Sequence, residues 1–295
     1  MFQDVTPRVA YRFTEVLRAA VTAACICALM ISADATAPQL NTQEPGFYRM
    51  MLGDFEITAL SDGFFDLQTN EMLANKTPAA LHDLPGQSFL KDAVPTSVNA
   101  YLVNTGQQLI LIDTGAAKLF GPMLGHLLSN LIASGYRPEQ IDTILITHLH
   151  PDHIGGLVAE GKRVFPNATV RVDRRDADFW LSPSALAKAP ADRQGFFKGT
   201  AASIGPYADL GRFQRFVAPT DLLPGIRAIP APGHTPGHTM YSIESKGQKL
   251  IRWGDLMEIA SVQFSQPSVT IVFDRDAPQA ALERGKAHAD AAQGG

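Results

Sequence analysis

Thr147-His148-Leu149-His150-Pro151-Asp152-His153 places three histidines and an aspartate within six positions, directly after the apolar run of residues 141–146. Packing does not explain that density, because imidazole fills a core poorly and its charge is costly to bury. Metal binding does explain it, since neutral imidazole and carboxylate are preferred ligands of zinc and similar divalent ions. The short run before it reads as a buried strand, which puts the cluster at a strand end, the usual place for a site in α/β architecture.

Working outward, residues 55–60 alternate and read as a strand closed by Ser61-Asp62-Gly63. Residues 64–96 are irregular and broken by Pro78, Pro85 and Pro95, so they read as a long loop. Residues 97–103 and 109–113 form an expected hairpin around Asn104-Thr105-Gly106. Apolar residues recur with helical spacing over 119–134, from Phe120 to Ile132, and Gly135 is the expected cap. Strands are expected near 168–172, 226–229, 239–244 and 250–253, with 269–273 as a further apolar run. Helices are expected at 176–181, in short pieces within 182–215, and at 278–292.

The chain has 295 residues, enough for a large domain, and its net charge of -4 without a basic stripe argues against nucleic acid as a partner. Arg8, Arg12 and Arg18 precede an uncharged run at 19–31 and the small-residue signals Ala33-Asp34-Ala35 and Ala35-Thr36-Ala37. That is the pattern of a secretory signal peptide, and the run falls short of the about 20 apolar residues of a membrane span. The expected organisation is a signal peptide at 1–37, a linker at 38–46 and one catalytic domain at 47–295, secreted or periplasmic, with no stable membrane span after cleavage. Both cysteines, Cys25 and Cys27, lie in the first segment, so a metal in the mature chain is left with His, Asp and Glu.

Two further clusters follow, Pro232-Gly233-His234-Thr235-Pro236-Gly237-His238 and Gly254-Asp255, each beside an expected strand end. In this order, with the first cluster, they resemble the metallo-β-lactamase superfamily. The resemblance implies an α/β fold, a four-layer αββα sandwich, and a hydrolase that uses metal-bound hydroxide. It implies two divalent ions, with zinc the first choice. His148, His150 and His234 match ligands of one ion, Asp152 and His153 match ligands of the other, and Asp255 matches the bridge. Asp152 and Asp255 would also serve catalysis by orienting water and accepting its proton. His238 matches a position behind the ligands, and Asp113 a structural aspartate.

Residues 45–63, 98–106, 177–182 and 195–199 further resemble methyl parathion hydrolase and its relatives. That implies an aromatic substrate pocket at Phe120, Trp180, Phe197 and Met257, with Ile259 nearby, and a neutral organophosphate triester as substrate. A lactone or carboxylic ester is the alternative, and plain core packing is the other reading of each aromatic. The expected partner is a small-molecule substrate, with homodimer formation left open. The family supplies a last histidine ligand after its C-terminal helix, whereas this sequence ends at Gly294-Gly295. The expectation is therefore a chain lacking its last strand and helix, with a weakened second metal site or, at the extreme, a non-catalytic metal-binding remnant. His288 is expected to be a solvated helix residue, and His126 to lie on a polar helix face.

Overall fold

Two long strands carry one half of the molecule because a glycine lets the first of them bend. β1 (Phe47–Leu52) turns into β2 (Phe55–Gln68), which pairs with β3 (Ala93–Asn104) along its whole length. The register shifts between Ser61 and Gly63, where Gly63 adopts φ +125° and a Cβ would sit 1.9 Å from the Met123 carbonyl oxygen. Only glycine serves there. The strand therefore does not close at Gly63, and the expected loop shrinks at both ends. The computed structural model describes residues 37, 39–41, 44–75 and 93–293. The expected signal peptide falls almost wholly outside these residues. The chain divides into Met1–Glu44 and Pro45–Gly295, and every strand and helix named lies in the second unit.

β4 (Leu109–Ile112) pairs antiparallel with β3, then β5 (Thr143–Leu145) adds in parallel. A small hairpin, β6 (Val158–Ala159) and β7 (Lys162–Arg163), stands apart. β8 (Thr169–Asp173) and β9 (Phe213–Phe216) complete a seven-stranded sheet in the order β1-β2-β3-β4-β5-β8-β9. β10 (Thr220–Leu223), β11 (Ile226–Pro230), β12 (Thr239–Ser245) and β13 (Gln248–Arg252) form a four-stranded antiparallel sheet.

β4 shows why the sequence needs two cores. Its four residues are all buried, and successive side chains point to opposite faces. Ile110 and Ile112 join Ile57, Val103 and Leu145 against Ile226, Tyr241 and Ile243 of the smaller sheet. Leu109 and Leu111 join Ile144 and Val170 beneath Leu127, Leu131, Ile204 and Tyr207 from helices Leu127–Ala133 and Gln194–Ala208. Each fully buried Leu or Ile contributes roughly 1.5–3 kcal/mol. The result is the expected α/β sandwich of sheets and helices.

Two expectations need correction. The helix of residues 119–134 forms only over Leu127–Ala133. Gly121 and Gly125 take φ +94° and +89°, which break the first half into turns and leave Phe120 and Met123 exposed. Gly135 closes the remaining helix at φ +97°, donating to the Ile132 carbonyl while Tyr136 donates to that of Leu131. The pieces within 182–215 include one 15-residue helix, Gln194–Ala208, besides the short Pro183–Lys188. The final helix, Ala277–Gln293, is tied down by the fully buried Arg284, which donates to the carbonyls of Leu256, Pro267 and Val269. Among the described residues no helix is long and apolar enough to cross a membrane.

Candidate metal centre

The site assembles where β4, β5, β11 and β13 end. After β5 the chain runs through Ile146 and Thr147 into the His148–His153 stretch, and Pro151 starts a single helical turn, Pro151–Ile154. Asp113 follows β4 with φ +62°, a conformation aspartate tolerates, and is 1% exposed. Its Oδ1 accepts the Thr147 N–H at 2.8 Å, and its Oδ2 lies 3.0 Å from His153 Nδ1. With Nδ1 engaged, His153 turns Nε2 toward Asp152 Oδ2 at 3.3 Å and Asp255 Oδ1 at 3.2 Å. The structural role expected for Asp113 is what these bonds give it.

His148, His150 and His234 pack their rings edge to face with centroids 4.5–4.7 Å apart. His150 Nδ1 and His234 Nε2 are 3.0 Å apart. Asp255 Oδ2 lies 3.8 Å from His148 Nε2 and 3.7 Å from His234 Nε2. Two ligand sets share His148: His148, His150 and His234, and His148, His153 and Asp255, each with donor atoms within 4.8 Å of one another. His148 Nε2 is buried without a hydrogen-bond partner, which is costly unless a cation occupies the space it faces.

The electrostatics fit a cation too. Burial, then the neighbouring imidazoles, hold His148 and His150 well below the usual histidine range, so both are neutral and can ligate. Burial alone would lower His153, but Asp255, Asp152 and Asp113 raise it well above that range. Burial would likewise lower His234, but its bond to Asp274 and the charges of Glu258 and Asp255 raise it to about 9. Asp255 is held below the carboxylate range by His153 and His234, despite its burial. The carboxylates that raise His153 and His234 would equally favour a cation in the space between them. The donor set fits divalent metal ions.

His238 lies behind the candidate ligands. Its Nδ1 faces the Ala231 carbonyl at 3.1 Å, and its Nε2 accepts the Asp255 N–H at 3.0 Å. Burial pushes it down to about 3, so it stays the neutral acceptor that positions Asp255.

A family model described as the metallo-beta-lactamase superfamily matches residues 93–284, which include all of these residues. The chain belongs to the metallo-beta-lactamase superfamily. It is 41% identical to a crystal structure described as the hydrolase AbOPH of the beta-lactamase superfamily, with a TM-score of 0.80, covering 85% of this chain and 88% of that one. It is 30% identical to AidC, described as a dizinc quorum-quenching lactonase, with a TM-score of 0.75, covering 82% and 85%. A probable metallo-hydrolase of Mycobacterium tuberculosis is 25% identical over 62% of this chain and 64% of its own length. The chain thus spans less than two thirds of that curated relative.

The four expected pocket residues do not share one pocket. Phe120 and Met257 line a cavity of about 760 Å³ that also holds His150, Asp152, His153, His234 and Asp255. Trp180 and Phe197 are buried, 4.7 Å apart, and line a separate cavity of about 530 Å³ that also reaches His150 and His234. Ile259 is fully buried in a satellite core with Leu67 and Val269. His288 is not simply solvated, since it is part-buried and its ring stacks on Phe264 at 5.5 Å. His126 is exposed where the helix Leu127–Ala133 begins, one residue outside it.

Three carboxylates escaped the sequence reading. Asp176 is buried, accepts the N–H groups of Leu149 at 2.7 Å and Gly237 at 2.8 Å, and so ties the two histidine loops together. Burial pushes it up to about 6. Asp274 Oδ1 lies 3.1 Å and Glu258 Oε1 3.2 Å from His234 Nδ1. Glu258, with no hydrogen-bond partner for either oxygen, is pushed by burial up to about 8. Gly237 packs directly on Asp176, since a Cβ at Gly237 would meet the Asp176 backbone N at 2.4 Å.

Proposed function

We propose that this chain is a metal-dependent hydrolase of uncharged esters, with a lactone carrying an apolar chain as its first substrate class. The observation that carries the reading is the convergence of His148, His150, His234 and Asp255 on one point beside the about 760 Å³ cavity. Similarity to AidC, described as a lactonase, supports the lactone. The second reading is an aryl phosphotriester, favoured by Phe65, Phe120, Phe196 and Phe273 in the cavity wall, which suit a flat uncharged leaving group.

His148, His150 and His234 would hold one ion, and His153 with Asp152 the other, while Asp255 reaches both sets. Two such ions, zinc by preference, would supply Lewis acidity to polarise the ester and lower the pKa of water. The chain's own groups do the rest. Asp113 fixes the His153 ring, His238 fixes the Asp255 backbone, and Asp176 fixes both histidine loops. Asp152, part-exposed in the cavity wall, is the carboxylate placed to take a proton from water there. Aromatic walls exclude solvent and seat the apolar portion of the substrate.

The test is turnover by purified protein of known metal content on γ-decalactone, 4-nitrophenyl acetate and diethyl 4-nitrophenyl phosphate. Lactone hydrolysis lost in His148→Ala supports the first reading, and preference for the phosphotriester supports the second. Full metal loading with no turnover of any of the three would leave a non-catalytic metal-binding protein. Export after signal cleavage belongs to the same proposal, and N-terminal sequencing of exported protein checks it.

A further inference from the structure

The smaller cavity, about 530 Å³, has a composition unlike that of the larger one. Phe179, Trp180 and Phe197 give it an aromatic wall, and Lys188, Arg193 and Arg275 supply three cations. These cations gather on a chain whose net charge is -4. They are also largely free to meet a ligand. Among the described residues neither Lys188 nor Arg275 is ion-paired, and Arg193 has only the exposed Asp192 at 3.7 Å. Arg275 lies over the Phe179 ring at 4.2 Å, and Arg193 lies over Phe273 at 5.2 Å, so packing holds both guanidinium groups at the wall.

Asp274 is the one carboxylate in the lining, and its oxygens are already engaged by His234 Nδ1 at 3.1 Å and the Ile271 N–H at 3.1 Å. It does not neutralise the three cations. His150, His234 and Phe273 belong to the walls of both cavities, so this pocket adjoins the metal centre, while Phe120 and Met257 line only the larger one.

We propose that this cavity binds an amphipathic organic anion, with its carboxylate against Lys188, Arg193 and Arg275 and its apolar body on Trp180 and Phe197. Arginine suits this role because its planar donors meet both carboxylate oxygens together. The proposal goes beyond ester hydrolysis, and the binding it describes does not depend on which ester is cleaved.

Octanoate and its neutral isostere octanamide are the probes, titrated into the purified full chain. The chain has two tryptophans, Trp180 and Trp253, so a Trp253→Phe background isolates the fluorescence of Trp180. Octanoate is expected to change that fluorescence saturably and to bind about tenfold more tightly than octanamide. Its affinity should fall as salt rises from about 0.05 to about 0.5 M. Arg193→Gln with Arg275→Gln should weaken octanoate about tenfold and leave octanamide unchanged, and Lys188→Gln should shift affinity in the same direction. Circular dichroism and metal content check that the variants remain folded. Equal binding of acid and amide, or undiminished octanoate binding in the double variant, would overturn the proposal. The second result would mark carboxylate coordination at the metal, whose ligands all survive in that variant. Lack of turnover on every ester leaves this test intact.

Discussion

Asp113 Oδ2 lies 3.0 Å from His153 Nδ1, and its Oδ1 accepts the backbone N–H of Thr147 at 2.8 Å. One carboxylate thus sets both the backbone entering the histidine stretch and the ring at its far end. Partners behind a ligand fix ring orientation and raise basicity, and their loss typically lowers metal affinity about 10–100-fold. Asp113→Asn keeps the shape and tolerates the positive φ while removing the charge. Metal affinity by competition with a chelator should fall within that range, with only a small drop in Tm. Unchanged affinity would reduce Asp113 to a backbone support.

Asp176 makes a separate prediction because it holds two loops rather than one ring. Asp176→Ala would strand the buried N–H groups of Leu149 and Gly237. Each unsatisfied group costs roughly 1–3 kcal/mol, so the variant should lose roughly 2–6 kcal/mol by urea unfolding. Asp176→Asn retains one acceptor and should lose less. Equal losses for the two variants would show that the pairing of loops is not what Asp176 contributes.

Gly254 and Gly106 separate backbone cost from steric cost. Both have positive φ, +60° and +80°. A Cβ at Gly106 meets nothing within 4 Å, so Gly106→Ala should cost only about 1 kcal/mol. A Cβ at Gly254 would stand 2.5 Å from His238 Nε2, the atom that accepts the Asp255 N–H. Gly254→Ala should therefore cost more, roughly 2–4 kcal/mol, and lower metal content as well. Comparable Tm values and metal contents for the two variants would contradict this.

The candidate histidine ligands were legible because metal chemistry compresses such groups into short motifs whose density no packing need explains. Asp176, Glu258 and Asp274 were not legible, because a lone carboxylate at a helix start or in a turn looks like a cap. Only the folded chain brings them within 3.2 Å of their partners. The apolar run of β5 was readable as a buried strand, and β4 as one arm of a hairpin. The length of β2 was not, since Gly63 reads as a terminator until Met123 is seen lying against it. Phe120 misled in the opposite sense, as its helical spacing continues through Gly121 and Gly125, which adopt turn geometry instead. The aromatic pocket divided for a related reason. The resemblance implies which aromatics lie near the site, but not how they divide between the two cavities.

Asp173, at the end of β8, gives a prediction in pH. It is fully buried, accepts two bonds from the Arg175 side chain, and also accepts the backbone N–H groups of Arg175 and Ala218. Burial alone would raise its pKa, but those bonds outweigh it and hold the carboxylate below its ordinary value. A depressed folded pKa means that the unfolded chain takes up the proton first as the solution is acidified. The contribution to stability is therefore full above the unfolded value of about 3.9 and is lost as pH falls through the folded one. Asp173→Asn should be less stable than the parent at pH 7, with a gap in urea midpoint that narrows below about pH 4 as the parent carboxylate loses its charge advantage. Arg175→Gln should narrow the same gap from the other side, by removing the side chain that contributes most to holding the charged form. A parent and Asp173→Asn gap that stays constant between about pH 7 and pH 3 would show that the charge of Asp173 contributes nothing, and that its place at the start of the helix Arg174–Trp180 rests on shape and neutral hydrogen bonds alone.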